Sequence, residues 1–287
     1  MESLYRIISF PEFINLVEKE TERYRRPTAW EDTYEGFMLQ MLSDDSRMDE
    51  VLNTLYKNIS QDINKVIVNY LNMWAAKWLC YGQCWSKTEE TDAMWRIYSF
   101  DRKSIRIETD KETIEDVIHS SEEGKNYSVY IDDVKYDLDD QADIDSQTKI
   151  LRKNPRTIEP FFHKRKAFQH ENEKRVILFD KEFEKDILGF RAASVSNNVS
   201  RVFHNQQASV SEILKKVKEE LIKLRYPFES KQLVENIFVS KIDLSKYIKS
   251  VMVHPQADDW IVDLIKVICK KHNLNCVGKS TMYDKLI

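Results

Sequence analysis

The stretch FQHENEKRVILF, residues 168–179, sets Glu171 and Glu173 two positions apart and runs through Arg175 into the apolar segment Val176-Ile177-Leu178-Phe179. Read as a strand, its period of two sends Glu171, Glu173 and Arg175 to one face and His170, Asn172 and Lys174 to the other. Two carboxylates side by side on one strand face repel each other, so a fold that keeps them there has a cation or a task for them. On a helix the same pair would point in nearly opposite directions. The stretch is therefore either an active-site strand or a charged strand end neutralised by Arg175.

Composition bounds the surroundings of that strand. With 287 residues, 42% hydrophobic and 32% charged, the chain is long enough to bury a sizeable core and is globular rather than disordered. Only five glycines are present, and no cluster of them forms a phosphate-cradling loop of the P-loop or dinucleotide-binding kind. The net charge of −4 exerts no global pull toward nucleic acid. The N-terminus has an early acid and no sustained apolar core, unlike a signal peptide. No uncharged run reaches the ~20 residues of a membrane-spanning helix. The cysteines Cys80, Cys84, Cys269 and Cys276 do not follow zinc-site spacing. Reduced thiols, a cytoplasmic location, no metal and no membrane partner are the expectation.

Outward from the opening stretch, strands and helices intermix without a regular βαβ rhythm, which favours α+β over a doubly wound sheet. A first strand over Leu4–Phe10 carries Arg6, and Pro11 precedes a helix over Glu12–Tyr24. Helical spacing with Ser43 and Ser60 as caps predicts a helical hairpin over about 43–77. A buried strand over Trp78–Ser86 ends at a polar corner, and a helix over Thr88–Tyr98 presents Met94, Trp95 and Tyr98. Strand 104–109, helix 111–119 and a hairpin of 127–131 with 134–138 follow. Residues 186–207 are ambiguous, with Ser, Asn and Gln through 194–205 suggesting an exposed connection. Ser209 and Glu212 form a capping box for the next helix. A last helix begins at Asp258 or Asp259 with Trp260, Ile261, Leu264, Ile265 and Ile268 inward. It is flanked by strands at 236–239, 251–253 and 275–277. No internal repeat is present, and one domain over 1–287 is expected.

Three positions combine into a chemical proposal. The Arg6 fork suits phosphate or pyrophosphate oxygens. Ser86 at the mouth of a strand can bond a sugar hydroxyl or orient a carboxylate. A glutamate on a strand face can hold ribose hydroxyls and steady the cation formed when a glycosidic bond breaks, the logic glycosidases use. Each also has a plain explanation: Arg6 in a surface ion pair, Ser86 as the cap of the 88–98 helix, and the glutamates paired to Arg175. Trp95 and Tyr98 either pack in the core, as helical spacing favours, or stack on a nicotinamide ring. His163 and His170 lie near the glutamates in sequence. The basic residues from Arg152 to Lys166, interleaved with Phe161, Phe162 and Phe168, read as a solvated face or as a platform for a phosphate-bearing partner.

Three segments resemble the motifs of a bacterial domain-of-unknown-function family, number twenty-nine seventy-one, which includes AbiGi-type abortive-infection proteins. They are Cys84-Trp85-Ser86, Met94-Trp95-x-x-Tyr98 and Phe168-x-x-Glu171-x-Glu173-x-Arg175. Leu4-Tyr5-Arg6, Val251-x-Val253-x-Pro255 and Ser280-x-x-Tyr283 are similar too. The order of an Arg strand, a Ser strand and an E-x-E strand also resembles the R-S-E class of ADP-ribosyltransferases.

That resemblance implies a split mixed β-sheet with the helical hairpin inserted, and NAD as substrate. Glu173 is then catalytic, Glu171 serves the acceptor, and Arg6, Ser86, Trp95 and Tyr98 contact NAD. It implies a toxin or antiphage effector acting on a macromolecular acceptor, protein or RNA/DNA, with an antitoxin as a further candidate partner; an NAD glycohydrolase is a near neighbour. The other classes that fit are a non-enzymatic nucleic-acid or protein-binding module and a metal-dependent nuclease.

Overall fold

The computed structural model describes residues 2–30, 80–138, 158–181, 192–203, 208–223 and 237–284. The expected helical hairpin over about 43–77 lies outside the described residues. What is described is α+β, built on a nine-stranded mixed sheet whose pairs are antiparallel except for the last one. No described helix is long and apolar enough to cross a membrane, and all four cysteines are free.

The chain enters through β1 (Ser3–Ile8) and α1 (Phe10–Lys19). Ser9 and Glu12 close a capping box at the start of α1, and Pro11 sits in its first turn, where the missing N–H costs nothing. The helix stops at Lys19 rather than continuing to Tyr24. Glu20 turns left-handed (φ 52°) and releases the chain into β2 (Thr21–Arg25). Alternation explains that strand: Glu22 and Tyr24 are buried while Arg23 and Arg25 are exposed.

Then come β3 (Cys80–Ser86), α2 (Asp92–Tyr98), β4 (Ile105–Asp110), α3 (Lys111–Ser120) and β5 (Tyr127–Asp133). The expected 127–138 hairpin does not form. β5 runs on to Asp133 against β8 (Glu173–Asp180), while β6 (Lys135–Leu138) pairs in parallel with β7 (His163–Arg165) in a separate small sheet. Asp133, at the end of β5, is bound by Lys87 and Lys174.

Further corrections fall in the C-terminal half. Residues 192–202, expected as an exposed connection, form helix α4 (Ala192–Val202), with Val195 and Val199 buried one turn apart. The Ser209–Glu212 capping box stands at the head of α5 (Val210–Lys223). After β9 (Ile237–Lys241), α6 (Leu244–Tyr247) and β10 (Ser250–Val253) comes α7 (Asp259–Lys271). It buries Ile261, Val262, Ile265 and Cys269, and leaves Trp260 and Leu264 outward. Of the expected inward stripe, Ile261 and Ile265 are buried and Ile268 packs partly buried against the core, while Trp260 and Leu264 are not part of it. The chain then reaches β11 (Cys276–Lys279), the parallel edge strand.

One feature of this sheet positions the site. β3 is paired along its whole length with β8 on one edge. Its other edge is shared: β1 touches it at Tyr5–Ser86, and β2 touches it at Arg25–Gly82. The sheet therefore forks. One arm is β1-β4-β10-β11, the other is β2-β9, and β3-β8-β5 is the stem. Helices α1, α3, α6 and α7 cover one face, where Leu4, Phe13, Tyr24, Trp85, Ile107, Val117, Val176 and Tyr247 form the main core. On the opposite face α2 packs Met94 and Trp95 against Ile7.

Candidate active site

A cavity of about 340 Å³ opens in the fork, within the range of small-molecule sites. Its wall takes Arg6 from β1, Arg23 and Arg25 from β2, Cys84 and Ser86 from β3, and Tyr98 from α2, together with Trp30, Lys164, Glu171 and Glu173. Arg6, Ser86, Tyr98, Glu171 and Glu173, expected from sequence, thus line one space. Trp95 does not. Its ring is fully buried, its Nε1 donates to Glu90 at 2.8 Å, and it packs edge-on against His254 at 5.1 Å. It is a core residue, as its helical spacing allowed.

Register sets the floor of the site. Tyr5 pairs with Ser86, and Ser86 with Glu173, so the three form one rung across β1, β3 and β8. The pleat then places Arg6 on the opposite face, beside Trp85. Its guanidinium lies 4.8 Å above the Trp85 ring, and its Nη2 donates to Glu22 at 2.8 Å. Burial disfavours its charge, but the Glu22 carboxylate more than restores it and raises the pKa. Arg6 lines the cavity together with Glu22 and Trp85 of its own face, so the cavity extends through the fork to both faces of the sheet.

The expected strand containing both glutamates is shorter. Residues Lys166–Glu171 form a 3₁₀ helix, Asn172 turns left-handed (φ 44°), and β8 begins at Glu173. Glu171 is therefore not two places along the same strand. The turn is stapled to the end of β3: the Ser86 hydroxyl donates to the Glu171 carbonyl at 2.8 Å, and the Lys87 amide donates to the Asn172 carbonyl at 2.9 Å. Ser86 also accepts from the Thr88 amide at 3.0 Å, while Thr91 caps α2.

Both carboxylates nevertheless meet at one cation. Lys164 Nζ donates to Glu171 Oε2 at 2.6 Å and lies 3.4 Å from Glu173 Oε2, with the Phe168 ring 4.6 Å away. The Tyr98 hydroxyl donates to the other Glu171 oxygen at 3.1 Å. Burial and the neighbouring Glu171 charge hold the Tyr98 pKa far above its ordinary value. Glu173 is 3% exposed. Burial pushes its carboxyl up, but Arg175 and Lys164 outweigh burial and hold its pKa at about 2.

Other expected residues sit elsewhere. His163 is buried between Asp137 (2.7 Å) and Glu159 (3.3 Å), and the His170 ring meets the Ala167 carbonyl at 3.2 Å. Neither lines the cavity. Phe161 and Phe162 are core residues rather than a stacking platform. Arg23, Arg25 and Trp30 were not expected at the site, and Lys164, expected only as part of the basic stretch 152–166, lines it between the two glutamates. Nothing in local spacing marks Lys164, because its partners arrive through the following turn; β2 would have been found from the Glu22/Tyr24 alternation.

Fold and site together define an α+β protein with a charged cavity in a forked sheet. Residues 94–176 match the model of a family described as "Protein of unknown function (DUF2971)". The family resemblance read from the motifs therefore holds over this stretch, which carries Met94-Trp95-x-x-Tyr98 and Glu171-x-Glu173-x-Arg175. Searches of curated proteins and of solved structures find no significant match.

Proposed function

We propose that the protein is an NAD-dependent ADP-ribosyltransferase with a split-sheet fold of the ADP-ribosyltransferase kind. In this reading it acts in the cytoplasm as a toxin or antiphage effector on a protein or nucleic-acid acceptor. The observation that carries the reading is that Arg6, Ser86, Glu171 and Glu173, the four residues of the R-S-E order, line one cavity in the fork of the sheet.

In this reading each carboxylate has its own role. Glu173 is an ionised carboxylate at every physiological pH, fixed in place by Arg175. It accepts hydrogen bonds from ribose hydroxyls and opposes positive charge developing at the sugar carbon. Proton transfer is not its task. Glu171, beside the Tyr98 hydroxyl and less buried than Glu173, is the group that takes a proton from the acceptor. Lys164 keeps the two carboxylates together. Water in place of the macromolecule would make the same site an NAD glycohydrolase.

The test is incubation with labelled NAD and a cell lysate containing RNA, DNA and protein. Nicotinamide release and label transfer are measured for the wild type, Glu171→Gln and Glu173→Gln. Release with transfer, lost in folded Glu171→Gln, supports the reading. Release without transfer makes the protein a glycohydrolase. No release above that of heat-inactivated protein refutes both.

A further inference from the structure

The charges lining the cavity do not cancel locally. At the stem, Glu171 and Glu173 are met by Lys164, and Glu173 also by Arg175. On the far face, Arg6 is met by Glu22. At the β2 arm the balance differs. Arg25 comes only within 3.8 Å of Glu12, the one acid besides Glu22 that lines this arm among the described residues, against two arginines. The side chains of Arg25 and Glu12 are both more than half exposed, a separation and exposure at which an ion pair contributes little. The Arg23 side chain has no hydrogen bond or ion pair among the described residues.

Both arginines project on the same face as Glu173. Arg25 pairs with Gly82, and Gly82, Cys84 and Ser86 alternate along β3 to the Ser86–Glu173 rung. Arg6 lies on the other face and its charge is already matched. The residue that motif order assigns to the phosphates is thus the worse placed of the candidates. Two arginines two positions apart share one strand face, and each guanidinium can donate a bidentate fork to a phosphoryl group.

We infer that Arg23 and Arg25 of β2 form the anion subsite of the cavity and take the pyrophosphate of a dinucleotide whose sugar end lies at Glu173. The ligand then spans the fork from the β2 arm to the stem. This assignment rests on the transferase reading for the identity of the sugar end; the pyrophosphate contact stands on the charge distribution alone.

The test is titration calorimetry with inorganic pyrophosphate on the full chain, alongside Michaelis constants for NAD. Arg23→Gln/Arg25→Gln is compared with Arg6→Lys, which keeps a charge opposite Glu22. Both β2 side chains are exposed, so the double variant folds. The expected result is at least a tenfold rise in the pyrophosphate Kd for the β2 variant and less than threefold for Arg6→Lys. The KM for NAD rises in parallel while kcat stays within twofold. Wild type that does not bind pyrophosphate, or binding weakened by Arg6→Lys and not by the β2 variant, overturns the assignment. Arg-dependent pyrophosphate binding without any NAD turnover leaves the subsite standing and sinks the transferase reading instead.

Discussion

Arg175 grips Glu173 from two places further along the same strand, with Nε donating to Oε1 at 2.6 Å and Nη2 to Oε2 at 3.1 Å. The remaining Nη1 donates to the Phe161 carbonyl at 2.6 Å, and the guanidinium lies 4.6 Å from the Trp30 ring. Arg175 is fully buried. The pair is therefore both the anchor of the candidate catalytic carboxylate and a burden on the fold, since neither charge has water to fall back on.

A pH dependence of stability follows. Glu173 has a folded pKa of about 2, against ~4.3 for an unfolded glutamate. A depressed folded pKa contributes stability that is present above the unfolded value and lost as pH falls through the folded one. On the order of 3 kcal/mol is at stake between about pH 4.3 and 2. Urea denaturation at pH 6 and pH 3 should show wild type losing about 2 kcal/mol more than Glu173→Gln. Equal losses would refute the assignment.

The same pair governs how activity loss should be read. Glu173→Gln leaves Arg175 buried without its strongest partner, and Arg175→Met leaves Glu173 with Lys164 at 3.4 Å as its nearest cation and the Cys84 thiol as a weak donor. Each single change should cost about 3–5 kcal/mol, and the double variant should cost clearly less than their sum. A double-mutant cycle by urea denaturation measures this. Additive losses would mean that the pair is not coupled. Glu171, partly exposed, carries no such burden, so Glu171→Gln is the cleaner variant for activity.

Why the sequence reached some of this and not the rest is visible at particular residues. Helix caps and strand periods are local: Ser209 with Glu212 and the apolar run Val176–Phe179 are read correctly from neighbours in the chain. The Glu173–Arg175 pairing, two apart on a strand, is local as well. Glu171 was misplaced because Asn172 turns left-handed, a conformation asparagine tolerates without announcing it. β6 pairs with β7 rather than β5 because of partners far along the chain. The fork is set by two single-rung pairings, Tyr5–Ser86 and Arg25–Gly82. No local pattern encodes these, nor the side of the sheet on which Arg6 falls relative to Glu173.

Trp95 and Tyr98, one turn apart on α2, should now separate by experiment. Trp95→Phe deletes the hydrogen bond to Glu90 and some ring area in a closed core. It should lower stability by about 1–3 kcal/mol with no change in the KM for NAD. Tyr98→Phe deletes only the bond to Glu171 at the cavity wall. It should cost under about 1 kcal/mol in stability yet lower turnover at least fivefold. A raised KM in Trp95→Phe would return Trp95 to the site.

Ser86 offers the sharpest separation between touching a ligand and placing a group that does. Its hydroxyl is committed twice, donating to the Glu171 carbonyl and accepting from the Thr88 amide. In Ser86→Ala both backbone groups lose a partner, at a cost of about 1–3 kcal/mol. The Thr88 amide, followed by hydrogen exchange, should lose at least tenfold in protection, and turnover should fall as Glu171 loses its anchor. Ser86→Thr keeps a hydroxyl at the same place and should restore both protection and turnover. If Ser86→Ala lost turnover while the Thr88 amide stayed protected, the hydroxyl would be acting on the ligand directly. Its role at the end of β3 would then be contact rather than positioning.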